Sequence, residues 1–355
     1  MTPARSRLAL SIGCPCGVGA EVSVVAVAKA RAAQILLVGD HATIADAARG
    51  RGIDARRFVR VASASEAWEL RGSRIGVLQP TFDLAPQNRK PGAPTRASGA
   101  AQLAWIDAAC DLAAHGEADA MVTGPVSKDA IASSNAPHAA EFRGHTEHLQ
   151  RRLRAREVVM AFWSEHLVTA LVTTHLALKD VPRAITSAAV ARASFWLADL
   201  LARLDAGRAS RIAVGGLNPH AGEAGLLGRE EVSRIAPGMA RARDRLAEAG
   251  LTATLFGPVP AESAMRRAVA GHFDGVVAMY HDQATIPMKL VGFGEAVNVT
   301  LALPIVRTSV DHGTAYDRAG TNTADARGMR EAIALAARLS GDGTPRARAT
   351  RAKPR

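Results

Sequence analysis

The sequence is poor in the groups that cross-link, stack or anchor a chain. Three cysteines in 355 residues (Cys14, Cys16 and Cys110) cannot build a disulfide framework, which points to a reducing compartment. Aromatic residues make up only 4%, too few for a platform that stacks single-stranded bases. No apolar run approaches the about 18 residues that cross a membrane, and residues 8–12 are too short for a signal-peptide core. There is no G-x-G-x-x-G after the first strand, no G-x-S-x-G and no H-E-x-x-H. A Rossmann fingerprint, a nucleophile elbow and a zincin helix are all unsupported. The expectation is a soluble, cytoplasmic protein without a membrane partner.

What is present is 48% hydrophobic residues and a formal charge of +11. Five of those charges (Arg346, Arg348, Arg351, Lys353 and Arg355) fall in the last eleven residues, which contain no acid. We expect 343–355 to be a disordered basic tail and the rest, scattered arginine, not to bind nucleic acid.

Short β-branched runs alternate with alanine-rich helical patterns, the arrangement of a parallel α/β sheet. Strands are expected near 8–12, 34–39, 120–123, 158–162, 167–173, 211–215, 275–279 and 296–301. Helices are expected near 18–31, 43–49, 97–115, 186–204, 230–249, 262–270 and 324–339. Residues 79–94, with four prolines, read as a loop.

The chemistry gathers where strands end. Four apolar runs lead into polar clusters: Thr123-Gly-Pro-Val-Ser-Lys128, Thr173-Thr-His175, Gly216-Leu-Asn-Pro-His220-Ala-Gly-Glu223 and Met279-Tyr-His281-Asp282-Gln283. Ligands of parallel sheets bind outside the carboxyl ends of strands. His175, His220 and His281 could then form a three-imidazole site that leaves a metal one position open; local capping by each histidine is the alternative. Gly144-His145-Thr146-Glu147 opens a helical stretch, where either an anion or simple capping by Thr146 would use the free N–H groups. Lys289, Asn298 and Arg307 suit a phosphate or carboxylate. Cys14 and Cys16 read as packing a glycine-rich turn rather than as a redox or metal pair.

These blocks, together with Val297-Asn-Val-Thr-Leu301 and the run from Leu303-Pro304 to Arg307-Thr-Ser-Val-Asp-His-Gly-Thr314, resemble the 4-hydroxythreonine-4-phosphate dehydrogenase family of pyridoxal phosphate biosynthesis. The resemblance implies two α/β/α domains like those of isocitrate and isopropylmalate dehydrogenases, with the active-site cleft between them. One domain would be discontinuous (1–125 with 282–342) and the other would span 126–281. The resemblance further implies NAD (or NADP), a divalent metal (zinc, magnesium or cobalt) on His175, His220 and His281, and a homodimer with its active site at the interface. Substrate would be held by His145, Thr146, Lys289, Asn298 and Arg307. For the general base, His145 and Asp282 are both candidates.

Several positions depart from the family pattern, among them Thr321-Asn322 in Ala319-Gly-Thr-Asn-Thr-Ala-Asp325, where a basic residue and glycine are common. Cys14 stands where an acid is usual, Ala20 where proline is, and Glu262 where aspartate is; Cys16 replaces an alanine. A paralogous dehydrogenase of another phosphorylated hydroxy acid is therefore the second reading. A non-catalytic binding protein is the third.

Overall fold

The computed structural model describes residues 5–341, so the expected basic tail lies outside the described residues. The chain divides into two compact units, 5–156 with 303–341, and Glu157–Ala302. The crossings thus fall after Arg156 and after Ala302.

The first unit is a doubly wound sheet. In chain order it contains β1 (Ser6–Ser11), α1 (Gly19–Lys29), β2 (Ala33–Val38), α2 (His41–Gly50), β3 (Phe58–Val61), α3 (Ala64–Glu69), β4 (Ile75–Leu78), α4 (Arg96–Ala114), β5 (Ala120–Thr123), α5 (Lys128–Ala132) and α6 (His145–Arg152). The strand order is β3-β4-β2-β1-β5, and every pair is parallel. Such strands are covered on both faces, which is why β1 carries the apolar run Leu8-Ala-Leu10 and β5 the run Ala120-Met-Val122. Leu8, Leu10, Leu36, Leu37 and Met121 are fully buried. Capping is supplied by the residues that physics favours. Asp40 accepts from the Thr43 amide, and Thr95 and Ser98 form a reciprocal capping box at α4.

Helix α4 lies on α5 through Gly99. A side chain at Gly99 would place its Cβ 1.9 Å from the Ala130 carbonyl oxygen, which is backbone and cannot turn aside. Gly99→Ala should gain about 1 kcal/mol of helix propensity. The overlap it creates costs about 1–3 kcal/mol or more. We therefore expect a net loss, read as a lower urea midpoint at unchanged m-value.

The second unit contains β6 (Val159–Trp163), β7 (Val168–Leu171), α7 (Val181–Ala184), α8 (Ser187–Leu204), β8 (Ser210–Gly215), α9 (Ala236–Glu248), β9 (Ala253–Val259), α10 (Ala261–Val269), β10 (Gly275–Ala278), α11 (His281–Val291) and β11 (Val297–Leu301). Its strand order is β11-β6-β7-β10-β8-β9. Here the all-parallel expectation is corrected: β6 runs antiparallel to both β7 and β11. The connection from β6 to β7 is a few residues long, enough for a hairpin but not for a parallel crossover. Phe162, Leu171, Met265, Phe273, Val276 and Met288 share one core. The chain then returns to the first unit as β12 (Val306–Val310), parallel to β5, and α12 (Arg327–Ser340).

All eight expected strands and all seven expected helices have counterparts. The helix expected over 230–249 divides into a π-helical turn (Glu231–Ile235) followed by α9. Strands β3, β4, β9 and β12, and helices α3, α5, α7 and α11, were not expected. In α11, Pro287 sits inside the helix, where it reads in sequence as a breaker. Among the described residues no single helix is long and apolar enough to cross a membrane.

Candidate active site

In the first unit the site is built on the adjacent parallel ends of β1, β5 and β12. Residue Arg307 of β12 stands beside Met121 in register, and its Nη2 donates to Thr123 Oγ1 at 2.7 Å. Only 3% of Arg307 is exposed. Burial pulls its guanidinium down to about 9, with the Glu147 carboxylate opposing, so it remains a cation at neutral pH. Ser309 Oγ donates to the Thr123 carbonyl, which closes the end of the strand pair.

Residues His145 and Thr146 begin α6 directly after Gly144, as the sequence placed them. Amides of a first helical turn lack intrahelical partners and favour an anion. A side chain at Gly144 would meet Glu147 Oε2 at 3.1 Å and Lys128 Nζ at 3.7 Å, so this corner carries a lysine and a carboxylate as well. The His145 Nε2 is sealed from solvent and has no hydrogen-bond partner. Burial is the main force that holds this imidazole well below its usual range, helped by Arg307, His148 and Lys128. His145 is therefore neutral at pH 7. The Phe142 ring packs near both His145 and His148, and His148 Nε2 lies 2.6 Å from Asp107 Oδ1.

The sign of the linkage follows. An imidazole whose pKa is lowered on folding binds fewer protons in the native state, so stability falls with pH from about 6.5 towards the native value. His145→Gln should flatten that limb. Urea midpoints of both proteins at pH 7.5 and 5.5 would check it.

At the turn after β1, the Cys14 amide donates to the Pro125 carbonyl at 2.8 Å and the Gly17 amide to the Cys14 carbonyl at 3.1 Å. The Cys14 Sγ lies 3.5 Å from the Tyr316 hydroxyl, and the Cys16 thiol lies 3.4 Å from the Asn88 carbonyl. A hydrogen bond from Cys16 brings Cys14 down to about 7, against burial. The hydrogen bond with Cys14, and then burial, push Cys16 up. Both thiols are buried, as packing of the turn requires.

In the second unit the three candidate ligands leave three neighbouring strands. β7, β10 and β8 are adjacent and parallel, and His175, His281 and His220 follow their carboxyl ends. Hydrogen bonds tie the exits together. Thr173 Oγ1 donates to the Met279 carbonyl at 2.7 Å, and Gln283 Nε2 donates to the Gly216 carbonyl at 3.0 Å.

Rings of His175 and His281 lie 5.4 Å apart between centroids. His281 Nδ1 pairs with Asp282 Oδ1 at 2.7 Å, which leaves Nε2 as the ring's available donor. His220 is exposed and does not join them: no group of three metal-binding side chains forms among the described residues of one chain. Three imidazoles suit a divalent ion in their chemistry, and the rings of His175 and His281 stand together. Lys289 is exposed on α11, and Asn298 is half-buried in β11 opposite Phe162.

His220 sits in an unusual backbone. His220, Ala221, Gly222, Glu223 and Ala224 are consecutively left-handed, with φ between 43° and 76°. Each L residue there costs roughly 1–2 kcal/mol, so such runs need support. The support comes from Glu231, a residue that sequence reasoning passed over because it stands in the charged run Arg229-Glu230-Glu231 and reads as solvated. Its Oε1 accepts from the Leu217 and Asn218 amides, both at 2.8 Å, and its Oε2 accepts from Asn218 Nδ2 at 2.9 Å.

With this geometry in view, comparison with known proteins is decisive. The family profile described as pyridoxal phosphate biosynthetic protein PdxA matches residues 31–336. The chain belongs to the PdxA family. A 4-hydroxythreonine-4-phosphate dehydrogenase of Geobacter metallireducens is 41% identical over 97% of this chain and 100% of its own. The solved structure of the enzyme of that name from Klebsiella pneumoniae superposes with a TM-score of 0.79 at 31% identity, covering 94% of this chain and 99% of its own. A terephthalate 1,2-cis-dihydrodiol dehydrogenase from Burkholderia xenovorans shares the fold at a TM-score of 0.64 and 28% identity, over 94% and 98% of the two chains. As a PdxA-family protein the chain is an enzyme, an oxidoreductase with a role in pyridoxal phosphate biosynthesis, and its family implies a nicotinamide cofactor.

Proposed function

We propose that the chain oxidises the secondary hydroxyl of 4-phosphooxy-L-threonine, with NAD or NADP as hydride acceptor, in the synthesis of vitamin B6. The product, 2-amino-3-oxo-4-phosphooxybutanoate, is a β-keto acid and loses carbon dioxide to give 3-amino-2-oxopropyl phosphate. The observation that carries this reading is the buried Arg307 on Thr123, close to a neutral His145 at the start of α6. A permanent cation, a first-turn amide set and a nearby lysine suit a doubly charged phosphate or a carboxylate.

The residues divide the work. Arg307, Thr146 and His145, in the first unit, bind an anionic end of the substrate; Lys289 and Asn298 are the substrate-binding candidates of the second unit. Neutral His145, beside two cations, is a poor proton store; its Nε2 orients substrate through a hydrogen bond. Asp282 holds His281 in one tautomer, which presents Nε2 outward. A divalent ion (zinc, magnesium or cobalt) on His175, His220 and His281 would supply a lowered pKa for the substrate hydroxyl. Exposed Ile286 and Leu290 on α11, with exposed Phe293 just after it, support a homodimer that covers them. We place the enzyme in the cytoplasm.

The test is formation of reduced nicotinamide by purified protein with 4-phosphooxy-L-threonine, in parallel with a phosphothreonate and a cis-dihydrodiol. Turnover of the first alone is expected. Turnover of only another substrate would overturn the substrate assignment. The dihydrodiol arm is included because the Burkholderia xenovorans enzyme has this fold, and Cys14, Cys16, Ala20 and Glu262 depart from the family pattern.

A further inference from the structure

We propose that Glu231 is the positioning residue for His220, acting through the left-handed turn that carries it. The inference rests on reading His220 as a metal ligand and deepens that reading. Glu231 is 3% exposed, so its carboxylate has no solvent to satisfy it. It is satisfied instead by the backbone two and three residues before His220. The amides of Leu217 and Asn218 both point at one oxygen, and the Asn218 side chain holds the other. The second hydrogen of that same amide goes to Glu230 Oε2 at 2.8 Å, so Asn218 is fixed in one flip state.

The carboxylate also shapes the turn from its inner side. A Cβ at Gly222 would lie 2.6 Å from Glu231 Oε2, and one at Gly216 would lie 3.2 Å from Oε1. The chain therefore wraps Glu231 on both sides of His220, and the glycines leave room for its carboxylate. Glu231 itself opens a π-helical turn, an irregularity that re-aims a side chain where a regular helix would not. Asn218 closes the turn by accepting the Ala221 amide on its carbonyl at 3.1 Å. Nothing in this network touches His220 directly; it fixes the backbone from which His220 projects. Ligand orientation by such outer contacts typically governs about 10- to 100-fold in metal affinity.

The test uses the full chain and zinc alone, with affinity measured by competition against a chromogenic chelator. The variants are Glu231→Ala, Glu231→Gln, His220→Ala and the double variant His220→Ala/Glu231→Gln. Far-UV circular dichroism and the melting temperature check folding, and Glu231→Gln, which keeps the side-chain volume, serves if the alanine variant does not fold. Glu231→Gln is expected to weaken zinc binding at least about 10-fold. The double variant should bind zinc no more weakly than His220→Ala, the non-additivity of residues acting through one another. Excess zinc should restore the turnover of Glu231→Gln without changing KM for the nicotinamide, which a general loss of fold would not allow.

If folded Glu231 variants keep zinc affinity within twofold while His220→Ala loses it, the positioning role is overturned and His220 stands as a ligand. If His220→Ala also keeps its affinity, the reading of His220 as a ligand falls, and this proposal with it.

Discussion

Replacing Arg307 with alanine is expected to lower kcat/KM by roughly 30-fold to several thousand-fold, the effect of truncating one partner of a buried charged contact. The reasoning begins with burial. A guanidinium that is 3% exposed has given up its water and has Thr123 Oγ1 at 2.7 Å in exchange. With the Glu147 carboxylate also in its field, the guanidinium stays charged at neutral pH and can hold an anionic group of the substrate. The loss should fall mostly on KM if Arg307 grips the phosphate equally in ground and transition states, and on kcat as well if it fixes the reacting carbon. Arg307→Lys keeps the charge but loses the planar fork, and should recover only part of the activity. Steady-state kinetics on the three proteins would check this. An alanine variant within threefold of the native enzyme would remove Arg307 from the site.

The second large effect is expected at His281. His281→Ala removes the imidazole that stands against His175 and that Asp282 orients. If the histidines hold the ion, the lost stabilisation of developing negative charge amounts to several kcal/mol, or about a thousandfold in kcat. Zinc retention on a chelating column should fall in parallel. Asp282→Asn should be milder, since it leaves the ring in place and disturbs only its tautomer. A His281→Ala enzyme that turns over normally and still retains zinc would dismiss the three-histidine reading.

The fold was largely legible because parallel strands covered on both faces leave long apolar runs between helices of clear periodicity. β1, β5 and β10 are of that kind. What escaped had local reasons. β12 reads Val-Arg-Thr-Ser-Val, and three polar residues in five obscured a strand whose side chains find partners on β5 and, from Thr308 Oγ1 to the Ala332 carbonyl, on α12. The site was legible as a set of strand exits, and β7, β10 and β8 are neighbours in the sheet. That His145 is neutral was not legible, because it depends on burial and on Arg307, more than 150 residues away in sequence. Glu231 escaped for the same reason. A carboxylate that collects three N–H groups is indistinguishable in sequence from one that faces water.

The order of strands has a consequence for how the chain is made. In the second unit, β10 is synthesised after β7 and β8 yet lies between them. In the first, β5 keeps one edge open until β12 arrives at Val306–Val310. A ribosome that has released 270 residues therefore holds two unfinished sheets, with apolar edges exposed and the strands bearing His175 and His220 not yet joined. Neither unit can close until nearly the whole chain has emerged, and the strand carrying Arg307 is the last to be laid down. In each unit the candidate residues are brought together late in synthesis, and chaperone dependence should be concentrated in that interval.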